Sequence, residues 1–265
     1  MPLLGLGTLH NNGDDGVAVV GAALAAGYRH LDTAEYYGNE EAVGTGLARS
    51  GVPRDDVWVT TKVLHPLAPR PKTVRSAAEA SLRRLGLDYV DLLLIHWPNP
   101  HFAADEALAV FTQLRDEGKT RFLGVSNFPS HLLRKTTAAE PDIVVDQVEY
   151  HPFLDQSTIL AAARDAGVTI VAHSPLARGR VFDDALLQTI AEETGRSVAQ
   201  VALRWLIQQD GVAAIPGASP NRLADLTDNL GCIEFSLTQQ QMDGIAGLAA
   251  GVRIVDGDHA PAWDE

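Results

Sequence analysis

Eight short apolar runs alternate with amphipathic stretches along this chain, and that alternation restricts its fold more than any other feature of the sequence. The runs are Leu3 to Gly7, His30 to Asp32, Val57 to Thr61, Val90 to Ile95, Phe122 to Val125, Ile143 to Val148, Val168 to Ala172 and Val212 to Ile215. Between them apolar residues recur at helical spacing, as in Val17, Val20, Ala23 and Leu24, where Asp14 or Asp15 is expected to cap a helix that Gly27 ends. Further helices are expected at Asn39 to Ser50, Pro71 to Leu85, Ala103 to Glu117, Ser130 to Ala139, Gln156 to Ala166, Asp183 to Thr194, Val198 to Gln208 and Pro220 to Asn229.

Strands joined through helices pair in parallel, and a parallel sheet must be covered on both faces. The chain has 265 residues, 46% of them hydrophobic, enough for one large core. About 250 residues is the usual size of the closed, eight-stranded arrangement. The expected fold is therefore α/β, a (β/α)8 TIM barrel forming one domain over residues 1–265. An extra helix at Thr238 to Ala249, capped by Thr238, and a short tail should complete it. An open doubly wound sheet would call for Gly-x-Gly-x-x-Gly after the first strand, but Gly5-Leu6-Gly7-Thr8-Leu9-His10 has no third glycine.

The balance of 34 acidic against 21 basic side chains leaves a net charge of −13, the wrong sign for a nucleic-acid partner. Cys232 is the lone cysteine, and no His-Glu-x-x-His pattern joins the nine histidines, so neither a disulfide nor a metal site is expected. There is no apolar run of about 18 residues and no basic, cleavable leader. A cytoplasmic protein without membrane partners is expected, monomeric or weakly oligomeric and acting on a small molecule.

In a parallel barrel, polar residues at the C-terminal ends of strands face the site. The second run ends on Asp32, with Tyr37 in the loop beyond. The third stops at Lys62, the fourth at His96, the fifth at Ser126-Asn127, and Gln147 closes the sixth. Reducing a carbonyl needs a hydride on one side and a proton for the developing alkoxide on the other. Tyr37 is the candidate acid. A free tyrosine titrates near pH 10, so action at neutral pH requires roughly 4 kcal/mol of extra stabilisation of the phenolate. Lys62 can supply a cation there, Asp32 can hold Lys62 charged, and His96 can orient the substrate oxygen. The amide and hydroxyl groups of Ser126, Asn127 and Gln147 suit a carboxamide.

The wording GYRHLDTA, followed in order by YYGNEEAVG, TKV, LIHWP and GKTRFLGVSNF, resembles the aldo-keto reductase family from Leu4 to about Arg253. The resemblance implies that Asp32, Tyr37, Lys62 and His96 are the catalytic set, and the Tyr-Gly-Asn-Glu pattern selects Tyr37 over Tyr36. It implies NADPH as cofactor, with NADH usable, and a small aldehyde or ketone as substrate, including sugar-derived or 2-keto compounds. Ser126, Asn127 and Gln147 would hold the nicotinamide amide, with Gly7, Thr8 and Asp32 at the first two strand mouths. His173 stands where many relatives stack a tyrosine or tryptophan on the nicotinamide ring. Ser174, Leu176, Arg178 and Gly179 would follow the pyrophosphate, and Ile215, Gly217, Ser219, Arg222 and Asp225 the adenosine end. Many relatives carry Lys-Ser where this chain has Gly217-Ala218, so one cation for a 2′-phosphate is missing and discrimination against NADH should be weaker than usual.

For the substrate opening, the candidates are Leu9, Tyr36, Leu64, His96, Trp97 and Phe128, with His151 nearby; Leu9 and Leu64 stand where better-known relatives place tryptophans. Trp263, in the short tail, can cover the pocket or pack on the barrel. Two other functions compete. One is a nucleotide-sensing subunit with little turnover, against which the intact Asp, Tyr, Lys and His argue. The other is a barrel hydrolase or isomerase using Glu149 and His151, which would leave Ser126, Asn127 and Gln147 without a role.

Overall fold

Each of the eight apolar runs forms a strand because its β-branched and aliphatic side chains can be buried on both faces of a parallel sheet. The computed structural model describes residues 1–67, 73–98 and 104–264. The strands are β1 (Leu6–Gly7), β2 (His30–Asp32), β3 (Trp58–Val63), β4 (Val90–Ile95), β5 (Thr120–Ser126), β6 (Ile143–Glu149), β7 (Thr169–His173) and β8 (Val212–Ala214). They lie in sequence order, and every neighbouring pair is parallel. The sheet closes on itself. Gly5 N donates to the Ala214 carbonyl at 2.9 Å, Ala214 N to that of Leu3 at 2.9 Å, and Gly7 N to that of Pro216 at 2.9 Å. The expected (β/α)8 barrel is the fold of this chain.

Helices α1 (Gly13–Ala26), α2 (Glu40–Arg49), α3 (Val74–Leu85), α4 (Ala104–Asp116), α5 (Ser130–Ala139) and α6 (Ser157–Ala166) follow the first six strands. After β7 come α7 (Ala185–Thr194) and α8 (Val198–Ile207), then α9 (Ala224–Leu230) after β8 and α10 (Gln239–Ala246) near the end. Capping boxes at Thr73, Ser197 and Thr238 start α3, α8 and α10 by satisfying otherwise orphaned N–H groups. Two boundaries differ from expectation. Asn12, not Asp14 or Asp15, holds the cap position of α1, and the two aspartates lie in its first turn, where acids favour the positive helix end. The stretch expected as one helix from Pro220 splits into a 3-10 turn at Pro220–Arg222 and α9, with proline at the start of the turn. The expected helix starts at Pro71 and Ala103 lie outside the described residues.

The period-two alternation of the strands sorts their side chains into two layers. Leu92, Leu94, Val145, Val171, Ala213 and Ile215 form a small apolar cluster of their own inside the barrel. The intervening positions, including Val59, Leu93, Ile95, Val148 and Ile170, join the larger core under the helices. Space inside is tight: a Cβ at Gly124 would stand 2.5 Å from Leu94 Cδ2 and 2.7 Å from the Val145 carbonyl. The inward columns continue upward into Asp32, Lys62, His96, Ser126, Gln147 and His173, so one rule of alternation both fills the barrel and aims six polar groups at its mouth.

Candidate active site

At the C-terminal mouth of the barrel a cavity of about 450 Å³ is lined by Asp32, Tyr37, His96, Ser126, Asn127, Gln147 and His173. Lys62 is fully buried at its base, an ion that would be prohibitive there without partners. It has three. The ammonium donates to an Asp32 carboxylate oxygen, to the Thr33 carbonyl at 2.9 Å and to the Tyr37 hydroxyl at 3.3 Å. Gln147 Nε2 donates to the other Asp32 oxygen at 2.7 Å. Burial works against the charge on Lys62, but the Asp32 carboxylate and the Tyr37 hydroxyl outweigh it, and its pKa is raised. Burial likewise pushes the Asp32 carboxyl up, against the pull of Lys62 and Gln147.

Tyr37 departs from expectation. Burial of its hydroxyl raises the phenol pKa, and the lowering by Lys62 does not overcome it. The phenol is therefore held in its proton-bearing form, with the cation beside it reserved for the moment when negative charge develops. The loop that carries it is pinned by Asn39, which accepts from Thr33 Oγ1 at 2.8 Å and donates to the Thr8 carbonyl at 2.7 Å and the Asn11 carbonyl at 3.2 Å. Tyr36, by contrast, is exposed and stacks on His65, ring centroids 3.8 Å apart.

His96 is held neutral, its pKa lowered well below the usual imidazole range by burial first and then by Lys62 and the neighbouring histidines. Its Nδ1 is buried without a partner among the described residues, which leaves Nε2 to meet the cavity. Asn127 adopts the left-handed conformation at φ 62°. Its amide donates to the His96 carbonyl at 2.9 Å and to Ser126 Oγ at 3.0 Å, while its oxygen accepts from His173 Nε2 at 3.0 Å. That bond places the His173 proton on Nε2, and burial lowers the ring's pKa to about 4.

The other expected cofactor residues divide. Gly7, Thr8, Ser174, Arg178, Ile215 and Gly217 line the same cavity; Leu176, Gly179, Ser219, Arg222 and Asp225 do not. Arg222 and Asp225 are bound to each other, Nε to carboxylate at 3.0 Å, instead of standing free. Arg178, exposed in a left-handed turn, has no carboxylate within ion-pair distance among the described residues. At the outer end Leu9, Tyr36, His96 and Trp97 line the opening. Leu64 and Phe128 do not: both are buried in the core beneath the helices, because the backbone after β3 and β5 turns their side chains outward from the barrel.

Residues that the sequence did not single out complete the wall, among them His10, His65, Leu67, Pro175, Val255 and His259. The last two come from the tail. Glu149 accepts from Ile254 N at 2.7 Å, Val255 N at 2.8 Å and His151 Nε2 at 2.9 Å, so it and His151 anchor the tail and are not free for acid-base work. Asp264 accepts from Ser130 N and Oγ, each at 2.7 Å, at the start of α5. Between these anchors Trp263 reaches Trp97, ring centroids 6.0 Å apart. Among the described residues there is no group of three or more His, Cys, Asp or Glu able to hold a metal ion, and no helix is long and apolar enough to cross a membrane.

Comparison with known proteins shows the family and agrees with the fold. The model of the aldo/keto reductase family matches residues 3–250. An aldo-keto reductase of Mycobacterium avium (strain 104) is 42% identical over 261 residues, covering 96% of this chain and 88% of the relative. One from Mycobacterium marinum (strain ATCC BAA-535 / M) is 43% identical over 259 residues, covering 96% and 90%. Among solved structures, one provisionally described as 2,5-diketo-D-gluconic acid reductase B superposes with a TM-score of 0.93 at 38% identity, over 100% of this chain and 94% of that one. The aldose reductase from Schistosoma japonicum gives 0.91 at 26% identity, over 100% and 96%. This chain belongs to the aldo/keto reductase family, oxidoreductases that act on carbonyl compounds.

Proposed function

We propose that this protein reduces aldehydes and ketones, sugar-derived or 2-keto compounds among them, to alcohols with NADPH, and less efficiently with NADH. The observation that carries the reading is the buried chain Asp32–Lys62–Tyr37 at the cavity floor, with the neutral His96 ring centroid 5.6 Å from that of Tyr37.

The cavity suits a nicotinamide cofactor. Gln147 is buried, its Nε2 is committed to Asp32, and among the described residues no hydrogen bond engages its Oε1, which is left as an acceptor for a carboxamide N–H. A Cβ on Gly7 would come within 2.8 Å of the Ile215 carbonyl, so only glycine lets the two ends of the barrel close this tightly beneath the cavity that Gly7, Thr8, Ile215 and Gly217 line. Arg178, unpaired among the described residues, lines the cavity as a cation for a pyrophosphate. Bound there, the reduced nicotinamide supplies hydride to the carbonyl carbon.

The remaining steps belong to the chain itself. His96 and the Tyr37 hydroxyl converge on the carbonyl oxygen and orient it. As negative charge develops on that oxygen, Tyr37 transfers its proton. The phenolate so formed is stabilised by the ammonium of Lys62, and Asp32 keeps that ammonium in place through both steps. Burial keeps His96 and His173 from carrying an extra proton near neutral pH, which favours Tyr37 as the acid.

The test is direct: purified protein should oxidise NADPH only when an aldehyde or activated ketone is present, and chelators should leave the rate unchanged. NADPH oxidation that no carbonyl stimulates would refute the reading.

A further inference from the structure

Outside the Tyr37–His96 pair, the outer end of the cavity carries a pair of imidazoles. His65 follows β3 and His259 comes from the tail, with ring centroids 5.0 Å apart. His65 is stacked on Tyr36, and its Nδ1 accepts from Leu67 N at 3.1 Å, so its proton sits on Nε2. That nitrogen has no partner among the described residues. His259 packs edge-on against Trp97, centroids 4.7 Å apart, and its ring nitrogens make no hydrogen bond among the described residues. Two imidazoles with ring nitrogens that no acceptor engages among the described residues thus line one opening.

The charge around them has the same sense. The carboxylate lining the cavity, Asp32, is committed to Lys62 and Gln147. Arg253 lies behind the aromatic layer, its guanidinium 3.9 Å from the Trp263 ring centroid, with one N–H buried and unpartnered and no carboxylate at ion-pair distance among the described residues. On the tail itself Asp256 accepts from Trp263 Nε1 at 2.9 Å, and Asp258 precedes His259. Burial first, and then the neighbouring His259, lowers the pKa of His65 to about 4, so an anion placed between the rings would be favoured by their N–H groups.

We propose that His65 and His259 select carbonyl substrates that also carry a carboxylate, holding that group while Tyr37 and His96 hold the carbonyl oxygen. The His96 ring lies between the two sites, 5.6 Å from Tyr37 and 4.8 Å from His65, which sets the carboxylate a few bonds beyond the carbonyl carbon. The proposal rests on the carbonyl-reductase reading.

The test pairs a short ω-oxo carboxylic acid with its methyl ester. Wild-type protein should show a KM for the acid lower by about tenfold or more, the range of a hydrogen bond to a charged group. His65→Leu and His259→Leu should each collapse the acid-to-ester ratio of KM, and His65→Gln, which keeps a donor, should restore part of it. Equal KM values for acid and ester in wild type, or an unchanged ratio in both variants, would overturn the proposal and leave carbonyl reduction standing. If neither compound is reduced, the reading beneath it fails; the proposal then falls or stands on proton NMR of the histidine C2–H signals. In that experiment the acid, and not the ester, should raise the titration midpoints of the two signals absent from the Leu variants.

Discussion

Lys62 lies in strand β3 and Tyr37 in the turn after β2, yet the buried ammonium of one stands 3.3 Å from the hydroxyl of the other and shares its charge with Asp32. Tyr37→Phe keeps the ring and removes the proton. Turnover should drop by about 100-fold or more, while cofactor affinity by fluorescence quenching stays close to wild type. Full activity in Tyr37→Phe, with loss in Tyr36→Phe, would mean that the acid has been misassigned.

The pH profile tests how Lys62 acts. With the phenol pKa raised by burial, reduction should hold through neutral pH and decline only on the alkaline side, as Tyr37 loses its proton. Lys62 lowers that pKa, so Lys62→Met should move the alkaline limb to higher pH while depressing the rate. Asp32→Asn should depress the rate less, because Asp32 reaches the phenol through Lys62. A limb that stays in place in Lys62→Met would show that Lys62 does not tune Tyr37.

Cofactor preference should be adjustable at one glycine. A Cβ at Gly217 would meet the Gly7 carbonyl at an ordinary 3.7 Å, so a side chain fits there. Gly217→Lys adds the cation that many relatives carry, and should tighten NADPH relative to NADH by one to two powers of ten, about 1.5 to 3 kcal/mol. Equilibrium titration with both cofactors measures it. Arg222→Ala should narrow the wild-type ratio, since an exposed pair such as Arg222–Asp225 contributes about 1 kcal/mol or less and can open to meet a phosphate. No change in the ratio in either variant would remove both residues from 2′-phosphate recognition.

Stability should hinge on a close helix contact. A Cβ at Gly44 in α2 would overlap the backbone carbonyl of Leu85 at the end of α3, where no side-chain rotation can relieve it. Gly44→Ala should destabilise the fold by about 1 to 3 kcal/mol, with a lower Tm and little change in kcat for the protein that remains folded. An unchanged Tm would mean that α2 and α3 separate without penalty.

The alternation of apolar runs and helices determines the barrel by itself, since eight parallel strands buried on both faces have few other ways to close. The same periodicity determines which strand ends reach the mouth, and so Asp32, Lys62, His96, Ser126 and Gln147 were legible from spacing alone. What tertiary structure decided depends on burial and on contacts distant in sequence. The phenol pKa moves up instead of down because desolvation outweighs the neighbouring cation. Leu64 and Phe128 face the core because of backbone turns that no periodicity records, at Leu64 with a φ of 67°. Arg222 is paired because Asp225 lies one helical turn away, a contact that spacing permits without requiring. Glu149 and His151 serve the tail because residues 254 and 255 return more than a hundred positions later to donate their N–H groups, and the same return brings His259 to His65. A sequence pattern specifies which face each residue takes; which residues meet across the mouth follows from barrel closure and the path of the tail.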